Sequence, residues 1–251
     1  MLTKQRKQHI LKVLKREGQV VAKTLSHELD LSEDTIRRDL RELAQAGLLQ
    51  RVHGGALPAS TAMADFAGRR RLSIDAKQAI GRVAAAMIQP RQVVVLDGGT
   101  TTLQLALHLP PDLQATVVTH SPTIAAALAE HPTVEVVIIG GRLFKHSIVA
   151  VGAATIEAIS RIRVDTYFMG VTGIHPEIGL TTGDLEEAHI KRALCACAAE
   201  TIVLASAEKL NAASPYVIAP LSAITGIITE RSVPKSETAA FTRLGIAVSR
   251  A

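Results

Sequence analysis

Three amphipathic helices and a short alternating stretch are predicted at the start of the chain. Apolar residues recur at helical spacing over residues 4–17 and 21–29, and again between Ser32 and Gly47. Residues 48–55 alternate between apolar and polar side chains and then turn on two glycines, which is typical of a small β-wing. The order helix, helix, tight turn, basic helix and wing predicts a winged helix-turn-helix.

After residue 90 the pattern changes to short apolar runs rich in β-branched residues, with helical stretches between most of them. This alternation predicts a doubly wound, mostly parallel α/β domain with helices on both faces of the sheet. The predicted strands are residues 93–96, 116–119, 134–139, 166–169, 202–205, 224–228 and 246–248. Ligands of such sheets bind at the carboxyl ends of the strands, so we look for a binding site in the loops there.

Between the N-terminal helical region and the strand-rich region, neither the helical nor the strand pattern continues. We therefore predict a winged helix-turn-helix domain at residues 1–57, a linker at residues 58–75 and an α/β domain at residues 76–251. The linker holds three consecutive arginines at 69–71. They could contact phosphate groups or only face solvent, and we favour solvent.

Composition narrows the class of protein. Hydrophobic residues make up 47% of the 251 residues, which is enough for a core and excludes wholesale disorder. Aromatic residues make up 2%, which argues against a carbohydrate-stacking or single-strand-binding surface. Cys195 and Cys197 are too few for a disulfide framework, and no apolar run suits a signal peptide or a membrane span. We expect a cytoplasmic protein without metal or other cofactor.

The basic residues are unevenly distributed. The formal net charge is +5, from 28 Lys and Arg against 23 Asp and Glu. Residues 1–56 hold 11 of the basic and 7 of the acidic residues, so most of the excess lies in the first fifth of the chain. This favours a polyanion-binding module joined to a nearly neutral domain, although charge alone would also fit an ordinary solvated surface.

The predicted third helix carries its basic side chains away from its apolar face. Ile36 and Leu40 lie on the apolar face, whereas Arg37, Arg38 and Arg41 point elsewhere. A helix fits the major groove of DNA, where arginines reach phosphates and guanine edges. The alternative is a three-helix interaction domain with solvated arginines. Because helix, turn, cap and wing agree, we favour the DNA-binding interpretation.

A specific signature lies in the third helix and the wing. It consists of residues 32–40, of Leu43, Gly47, Leu49 and Arg51, and of residues 53–56. The signature resembles that of DeoR-type bacterial transcription regulators, and the match covers nearly all of residues 3–57. The resemblance implies that Asp39 orients an arginine. It also implies that the residues facing double-stranded operator DNA are Ser32, Thr35, Arg37, Arg38 and Arg41, with Arg51 and His53 of the wing near the DNA backbone.

Glycines and hydroxyl side chains follow the predicted strands of the second domain. Residues 97–102 open a helix after the first strand, and residues 120–121, 140–141 and 170 follow the next three. Free N–H groups and threonine hydroxyls at a helix N-terminus bind anions such as phosphate. Each loop alone is typical of an ordinary turn, but their shared edge predicts a small phosphorylated ligand.

Asp184, Glu187 and Lys191 allow two interpretations. Their spacing fits a helix cap with its third-position partner, followed by an ion pair one turn apart. It also fits a helix face that looks into a ligand cleft. Both interpretations stay open at this point.

The loops of the second domain also carry a family resemblance. Residues 96–101, 118–121, 139–141, 168–174 and 179–193 are similar to the DeoR-type sensor domain, whose fold resembles ribose-5-phosphate isomerase. The resemblance implies a phosphorylated sugar or related metabolite as inducer, and no catalysis. The effector-binding residues that it implies are Asp97, Gly98, Gly99, Thr100, Thr101, His120, Ser121, Gly141, Gly170, Thr181, Asp184, Glu187, Lys191 and Lys209.

The sequence departs from the family pattern at two places. His120 stands where the family usually has Asn, and Ser206 and Ala207 precede Glu208 and Lys209 where the family usually begins with Asp. Both departures could alter which ligand fits.

Together these features predict a DNA-binding repressor of a sugar or carbon-metabolism operon, released by a phosphorylated sugar-like effector. We expect a homodimer or homotetramer, because helix-turn-helix proteins read paired half-sites. The alternative is an active sugar-phosphate isomerase with an appended DNA-binding domain, for which Asp97, Asp184 and Glu187 are candidate bases. A kinase-like repressor is disfavoured because the residues after the linker are too few for two large lobes.

Overall fold

The first part of the chain folds into three helices and a three-stranded antiparallel sheet. A computed structural model of the protein describes residues 2–60 and 64–251. The elements of residues 2–58, hereafter the head, are α1 (Thr3–Glu17), β1 (Val20–Val21), α2 (Ala22–Glu28), α3 (Glu33–Gln45), β2 (Leu49–Val52) and β3 (Gly55–Pro58). The strand order is β1, β3, β2, and the β2–β3 hairpin is the wing. The predicted winged helix-turn-helix is confirmed.

Local signals set the boundaries of the head's elements. Gly18 has a φ of 73°, and its amide donates to the Leu14 carbonyl at 2.9 Å, which ends α1. Ser32 begins α3 by accepting a hydrogen bond from the Thr35 amide at 3.3 Å. A side chain at Gly55 would lie 1.8 Å from a backbone carbonyl oxygen of β1, so glycine is what lets β3 pair with β1.

The predicted linker contains more regular structure than its sequence indicates. Helix α4 (Phe66–Arg71) forms inside it, and α5 begins at Ile74. Asp65 caps α4 by accepting from the Gly68 amide at 2.8 Å, and Phe66 is buried. A six-residue helix is too short to show a helical period in the sequence, which is why the prediction missed it. Residues 61–63 of the linker lie outside the described residues, and the three-part division stays a prediction.

The remaining elements are helices and strands, which alternate in part of the chain. In chain order they are α5 (Ile74–Ala85), β4 (Val93–Leu96), α6 (Thr100–Leu107), β5 (Thr116–Thr119), α7 (Pro122–Leu128), β6 (Glu135–Ile138), β7 (Arg142–Phe144), β8 (Val149–Val151), α8 (Ala153–Ser160), β9 (Val164–Gly170), β10 (Gly173–His175), β11 (Gly179–Thr182), α9 (Leu185–Cys197), β12 (Ala198–Leu204), β13 (Tyr216–Ala219), β14 (Gly226–Thr229), α10 (Lys235–Arg243) and β15 (Ala247–Arg250). Within the described residues, no helix combines the length and apolar character that a membrane crossing requires.

Seven parallel strands form the central sheet, in the order β15, β14, β12, β9, β4, β5, β6. They correspond to the seven predicted strands, and the mostly parallel α/β class is confirmed. The strand order reverses between β4 and β9, so the connections that leave these two strands diverge. Such a reversal opens a crevice at the carboxyl edge of the sheet.

Two cores cover the two faces of this sheet. Val95 of β4 packs in one core with residues of α8, α9 and α10, whereas its neighbours Val94 and Leu96 pack in the other with α5, α6 and α7. The same alternation holds in β9, where Phe168 and Met169 belong to different cores. Helices therefore lie on both faces, which is the doubly wound arrangement.

Two smaller sheets surround the carboxyl edge. Strands β10, β11 and β13 form one antiparallel sheet, and β7 pairs with β8 as a hairpin. Each strand has only three or four residues, so the alternation that would identify it in the sequence is too short to be specific.

Candidate functional site

A polar pocket opens at the carboxyl ends of β4 and β9, where the strand order reverses. It is lined by Arg69, Leu72, Lys77, Gly98, Gly99, Thr100, Thr101, Thr102, Ser147, Gly170, Val171, Thr172, Thr182, Glu187, Lys191, Glu208 and Lys209. These residues come from the predicted linker and α5, from the loops after the central strands, from the first turn of α6, from the β7–β8 hairpin, and from β11 and α9. We call this cavity the pocket.

The first turn of α6 forms one wall of the pocket. Gly99 precedes the helix with a φ of 125°, and a side chain at Gly98 would lie 2.0 Å from the Val149 side chain. Thr100, Thr101 and Thr102 are buried in the first turn. The first amides of a helix lack intrahelical acceptors, so this wall combines N–H groups, hydroxyls and the positive end of a helix dipole.

Asp97 lies fully buried beneath the pocket and holds its floor together. One carboxylate oxygen accepts from the Gly98 amide at 2.8 Å, and the other accepts from the Gly170 amide at 2.8 Å. The second oxygen also binds the ammonium of Lys191, which donates at 3.0 Å to the Gly170 carbonyl. The carboxylate therefore joins the ends of β4 and β9 and orients Lys191.

His120 lies beside this carboxylate, with its Nε2 atom 3.5 Å from Asp97 Oδ1. Burial lowers the pKa of His120 to about 4; the Asp97 charge opposes this shift, and the Lys191 charge adds to it. Among the described residues, its Nδ1 atom has no hydrogen-bond partner. The ring is therefore neutral near pH 7 and lies under the pocket rather than in its lining.

Lys209 brings a buried cation to the α6 wall. Its side chain is 7% exposed, and its ammonium donates to Thr101 Oγ1 at 3.3 Å. Burial lowers the pKa of Lys209 to about 8, although the Glu208 charge opposes this shift. Within residues 2–60 and 64–251, no carboxylate oxygen lies within 4.0 Å of this ammonium. A buried cation without a close counter-ion favours binding of an anion.

Arg69 enters the pocket from helix α4. Its Nη2 atom donates to the His146 carbonyl at 3.4 Å and to Ser147 Oγ at 3.3 Å. Burial lowers the pKa of Arg69. Lys77 fixes the end of α4, because its ammonium donates to the Arg69 carbonyl at 2.6 Å and to the Leu72 carbonyl at 2.5 Å. One of the three arginines expected to face solvent thus lines the pocket, whereas the two that follow it are exposed.

Two acidic side chains complete the lining. Glu208 accepts from Ser206 Oγ at 2.6 Å and from Ser73 Oγ at 3.2 Å. Burial by itself would raise the pKa of Glu208, but the Ser206 hydrogen bond and the Lys209 charge outweigh it and lower the pKa. Glu187 accepts from Thr182 Oγ1 at 3.4 Å. The pocket therefore offers both cations and hydrogen-bond acceptors.

The structure brings most of the predicted effector residues together. Those that line the pocket are Gly98, Gly99, Thr100, Thr101, Gly170, Glu187, Lys191 and Lys209, with Asp97 and His120 beneath it. Of the two interpretations for the start of α9, Asp184 follows the capping one, since it accepts from the Glu187 amide at 3.0 Å. Glu187 and Lys191 follow the cleft interpretation.

Three other predicted residues do not reach the lining. Ser121 donates to the Ile148 carbonyl at 3.2 Å. Thr181 Oγ1 donates to the Gly173 carbonyl at 3.1 Å and thereby ties β11 to β10. A side chain at Gly141 would lie 2.0 Å from Thr155 Oγ1, so this glycine makes room for α8. All three therefore serve contacts within the protein rather than the lining.

Several lining residues were missed by the sequence analysis: Arg69, Leu72, Lys77, Thr102, Ser147, Val171, Thr172, Thr182 and Glu208. The predicted loops and family motifs contain four of them: Thr102, Val171, Thr172 and Thr182. For the three threonines, a hydroxyl next to a predicted residue was the available signal. Others come from the linker and from the β7–β8 hairpin. Those segments carry no signal in the sequence that connects them to the strand ends.

The head presents a separate basic surface. Ser32, Arg37, Arg38, Arg41, Arg51 and His53 are exposed, and Thr35 is half-buried. Arg37, Arg51 and His53 line one groove between α3 and the wing. Arg37 also pairs with Glu33 at 2.7 Å on the same helix. Six of the seven predicted DNA-facing residues are therefore accessible, and three of them line the same groove.

Asp39 does bind an arginine, as expected, but its partner belongs to α1. Arg6 donates to both carboxylate oxygens of Asp39, one of them through Nη2 at 3.1 Å, and both residues are buried. The Asp39 hydrogen bond raises the pKa of Arg6 against the opposing effect of burial. This pair locks α1 onto α3.

The head is joined directly to the pocket wall. At the end of β3, the Ala213 amide donates to the Pro58 carbonyl at 3.4 Å, and the next residue, Ala59, forms a parallel bridge with Ala213. The Ser60 hydroxyl donates to the carbonyl of Thr172, a residue of the pocket lining. We call residues 58–60 together with α4 the tether.

Comparisons with known proteins match both parts of the chain. Residues 6–62 match the family model of the DeoR-like helix-turn-helix domain, and residues 72–231 match that of the DeoR C terminal sensor domain. The HTH-type transcriptional regulator GlpR of Haloferax volcanii is 34% identical over 92% of this chain and 91% of that protein. The glycerol-3-phosphate regulon repressor of Escherichia coli is 28% identical over 92% of each chain. Ribose 5-phosphate isomerase A of Methanocaldococcus jannaschii superposes with a TM-score of 0.41 at 15% identity, over 54% of each chain.

Proposed function

Because the chain belongs to the DeoR family of transcriptional regulators, we propose that it represses a sugar or carbon-metabolism operon and releases its operator when a phosphorylated, sugar-like effector fills the pocket. The observation that carries the proposal is the buried Lys209 ammonium at the N-terminus of α6, with no close counter-ion among the described residues. One relative is named for the glycerol-3-phosphate regulon, a name that states a phosphorylated metabolite.

The α6 wall suits a phosphoryl group. Thr100 and Thr101 of its first turn line the pocket, and the helix dipole adds positive potential there. Lys209 and Lys191 supply two ammonium groups. Charge-assisted hydrogen bonds to phosphate are roughly twice as strong as neutral ones, so we place the phosphoryl group against this wall.

Other lining residues suit a polyhydroxylated carbon chain. Glu187, Thr172 and Thr182 offer carboxylate, hydroxyl and carbonyl oxygens as acceptors for sugar hydroxyls. Their hydrogen bonds within the protein leave further lone pairs on these oxygens, which only a ligand with hydrogen-bond donors can use. The pocket therefore selects against ligands that lack hydroxyls.

We propose that the protein acts in the cytoplasm as a homodimer or homotetramer. Helix-turn-helix proteins read paired half-sites, which requires at least two heads. The effector loosens DNA binding only if it prefers the conformation with lower operator affinity, and couplings of this kind are typically about 1–3 kcal/mol.

We propose a binding role rather than catalysis. The carboxylate of Asp97, one candidate base for an isomerase, already binds Lys191 and two backbone amides. Asp184 is engaged as a helix cap, which leaves Glu187 as the remaining candidate base. Glu208, the other acid of the lining, accepts hydrogen bonds from two serine hydroxyls. Incubation with ribose 5-phosphate, followed for interconversion of aldose and ketose, should give no turnover; measurable turnover would favour the isomerase alternative.

The central experiment is retardation of a duplex from the gene's own promoter region. We expect the purified protein to shift this duplex, and expect glycerol 3-phosphate or one of a panel of sugar phosphates to release it. The same compound should raise the melting temperature, since a ligand that binds only the folded state stabilises it. The unphosphorylated counterparts serve as controls. Failure to bind the duplex, or indifference to every phosphorylated compound, contradicts the proposal.

A further inference from the structure

Arg69 stands at the junction of two cavities. It lines the pocket and also a neighbouring cavity formed with Phe144, His146 and Asp184. Glu187 and Thr172 line both cavities as well. These three side chains therefore lie where the two cavities meet.

The guanidinium of Arg69 is only partly used by the protein. Nη2 donates to the His146 carbonyl and to Ser147, whereas the buried Nε–H has no partner among the described residues. No carboxylate oxygen within the described chain lies within 4.0 Å of this guanidinium. A buried donor without an acceptor is costly to keep, and an anion or hydroxyl that reaches it removes that cost.

The backbone around Arg69 is held in place from three directions. Lys77 donates to the Arg69 carbonyl at 2.6 Å, the Phe66 amide donates to the His146 carbonyl at 3.0 Å, and Asp65 caps the helix. The side chain therefore projects from a fixed helix, which is the arrangement of a preorganised binding residue.

We infer that Arg69 is a direct ligand of the effector's anionic group, and that the effector therefore contacts the tether that connects the head to the sensor domain. This inference rests on the proposed function. It adds a binding residue outside the strand-end loops, and it gives the effector a physical contact with the segment whose other end is bound to the pocket wall at Thr172.

Arg70 supplies a matched control for a test of this inference. It is the next residue on the same helix, has the same charge and is exposed. We compare Arg69→Gln with Arg70→Gln in the full-length protein, using glycerol 3-phosphate, ribose 5-phosphate and inorganic phosphate as probes. Calorimetry measures the affinity for each probe, and duplex retardation without any probe measures DNA binding.

We expect Arg69→Gln to weaken binding of the phosphorylated probes by about ten- to a hundredfold, the range for a lost hydrogen bond to a charged group. Its DNA binding without a probe should match that of Arg70→Gln and the unsubstituted protein. Equal probe affinity in the two variants overturns the inference and leaves the proposed function standing. If the unsubstituted protein binds neither these probes nor any other compound of the sugar-phosphate panel, the proposed function fails instead.

A labelling experiment on the unsubstituted protein covers the case in which Arg69→Gln does not fold. Phenylglyoxal modifies accessible guanidinium groups, and peptide mass spectrometry reports the modification at Arg69, Arg70 and Arg71 separately. We expect glycerol 3-phosphate to slow modification at Arg69 alone. Equal rates at Arg69 with and without a probe that binds, or equal protection of all three arginines, overturn the inference.

Discussion

The head and the pocket both concentrate positive charge, but they keep it in opposite environments. Arg37, Arg38 and Arg41 of α3 are exposed to solvent, whereas Lys191 and Lys209 are buried. Exposed cations keep their hydration until DNA arrives and then act mainly by releasing counterions. Buried cations lose their hydration when the protein folds, so the free-energy cost of desolvating them is already present before a ligand binds. The head therefore offers exposed charges for reversible binding of DNA. The pocket instead holds desolvated charges that an anionic ligand would stabilise.

The sharpest way to break this comparison is to remove the carboxylate that holds the pocket floor. Asp97→Asn leaves the buried Lys191 ammonium without its counter-ion. Removing one partner of a buried pair costs about 3–5 kcal/mol, so urea unfolding should shift by that amount and the effector response should disappear. Asp112→Asn, at an exposed carboxylate, is the control and should change stability little. Equal unfolding curves for the two variants would show that the floor does not depend on this charge.

A second way uses acid, because His120 is buried and neutral. Its folded pKa of about 4 lies below the ordinary value of 6.5, so the unfolded chain binds more protons between these pH values. Stability is fully present above pH 6.5 and is lost as the pH falls through 4, by about 3 kcal/mol in total.

The substitution His120→Asn should remove this part of the acid sensitivity, whereas His53→Asn in the exposed wing should leave it. The charges that face the ring are those of Asp97 and Lys191. Stability measured by urea unfolding from pH 7 to pH 4 distinguishes the variants. A profile for His120→Asn that stays parallel to that of the unsubstituted protein would contradict the assignment.

A third prediction sharpens the description of the head. Arg38→Ala should weaken operator binding by about five- to a hundredfold, and should lower the dependence of affinity on salt by about one charge if the contact is to a phosphate. The thermal unfolding temperature should stay the same, because Arg38 is exposed. Arg243→Ala, at an exposed arginine of α10, is the control. Unchanged operator affinity and salt dependence would mean that α3 does not face the DNA.

The smallest effect belongs to Lys209. With its pKa at about 8, this side chain loses its proton as the pH rises through 8, while a phosphate monoester stays dianionic. Affinity for glycerol 3-phosphate should therefore fall by about fourfold between pH 7 and pH 8.5. Glu208, Lys77, Arg69 and Lys191 are the charged groups around it.

In Lys209→Arg the charge persists across this range, so the affinity should no longer depend on pH there. Calorimetry at several pH values measures both variants. Equal pH dependence in the two proteins would assign the titration to another group.

The two regions also differ in how much of them the sequence could predict. The helices and the wing of the head could be predicted from residues that are a few positions apart, such as the Ser32 cap and the two glycines of the wing. Strand positions of the central sheet were predictable for a similar reason, because a run of β-branched residues needs no knowledge of its neighbours.

The pocket could be predicted only in part, because distant segments assemble it. Thr101, which follows a strand end, was found through its glycine-rich loop, and Lys191 of α9 was found through the family resemblance. Arg69 lies in a run of three identical side chains, and only the packing of α4 against the β7–β8 hairpin decides which of them turns inward. Long-range contacts of this kind leave no periodic signal in the sequence.

The connection between the wing and the sensor domain bears on which spacing of operator half-sites the protein can bind. Strand β3 ends at Pro58, and the next two residues contact Ala213 and Thr172 of the sensor domain. The DNA-binding head is therefore fixed to the sensor domain by direct contacts and not only by the linker. In the proposed oligomer, the separation and rotational phase of the two heads are then dictated by how the sensor domains assemble. Operators whose half-sites are moved apart by half a turn of the double helix, about 5 base pairs, would present the second half-site on the wrong side of the duplex.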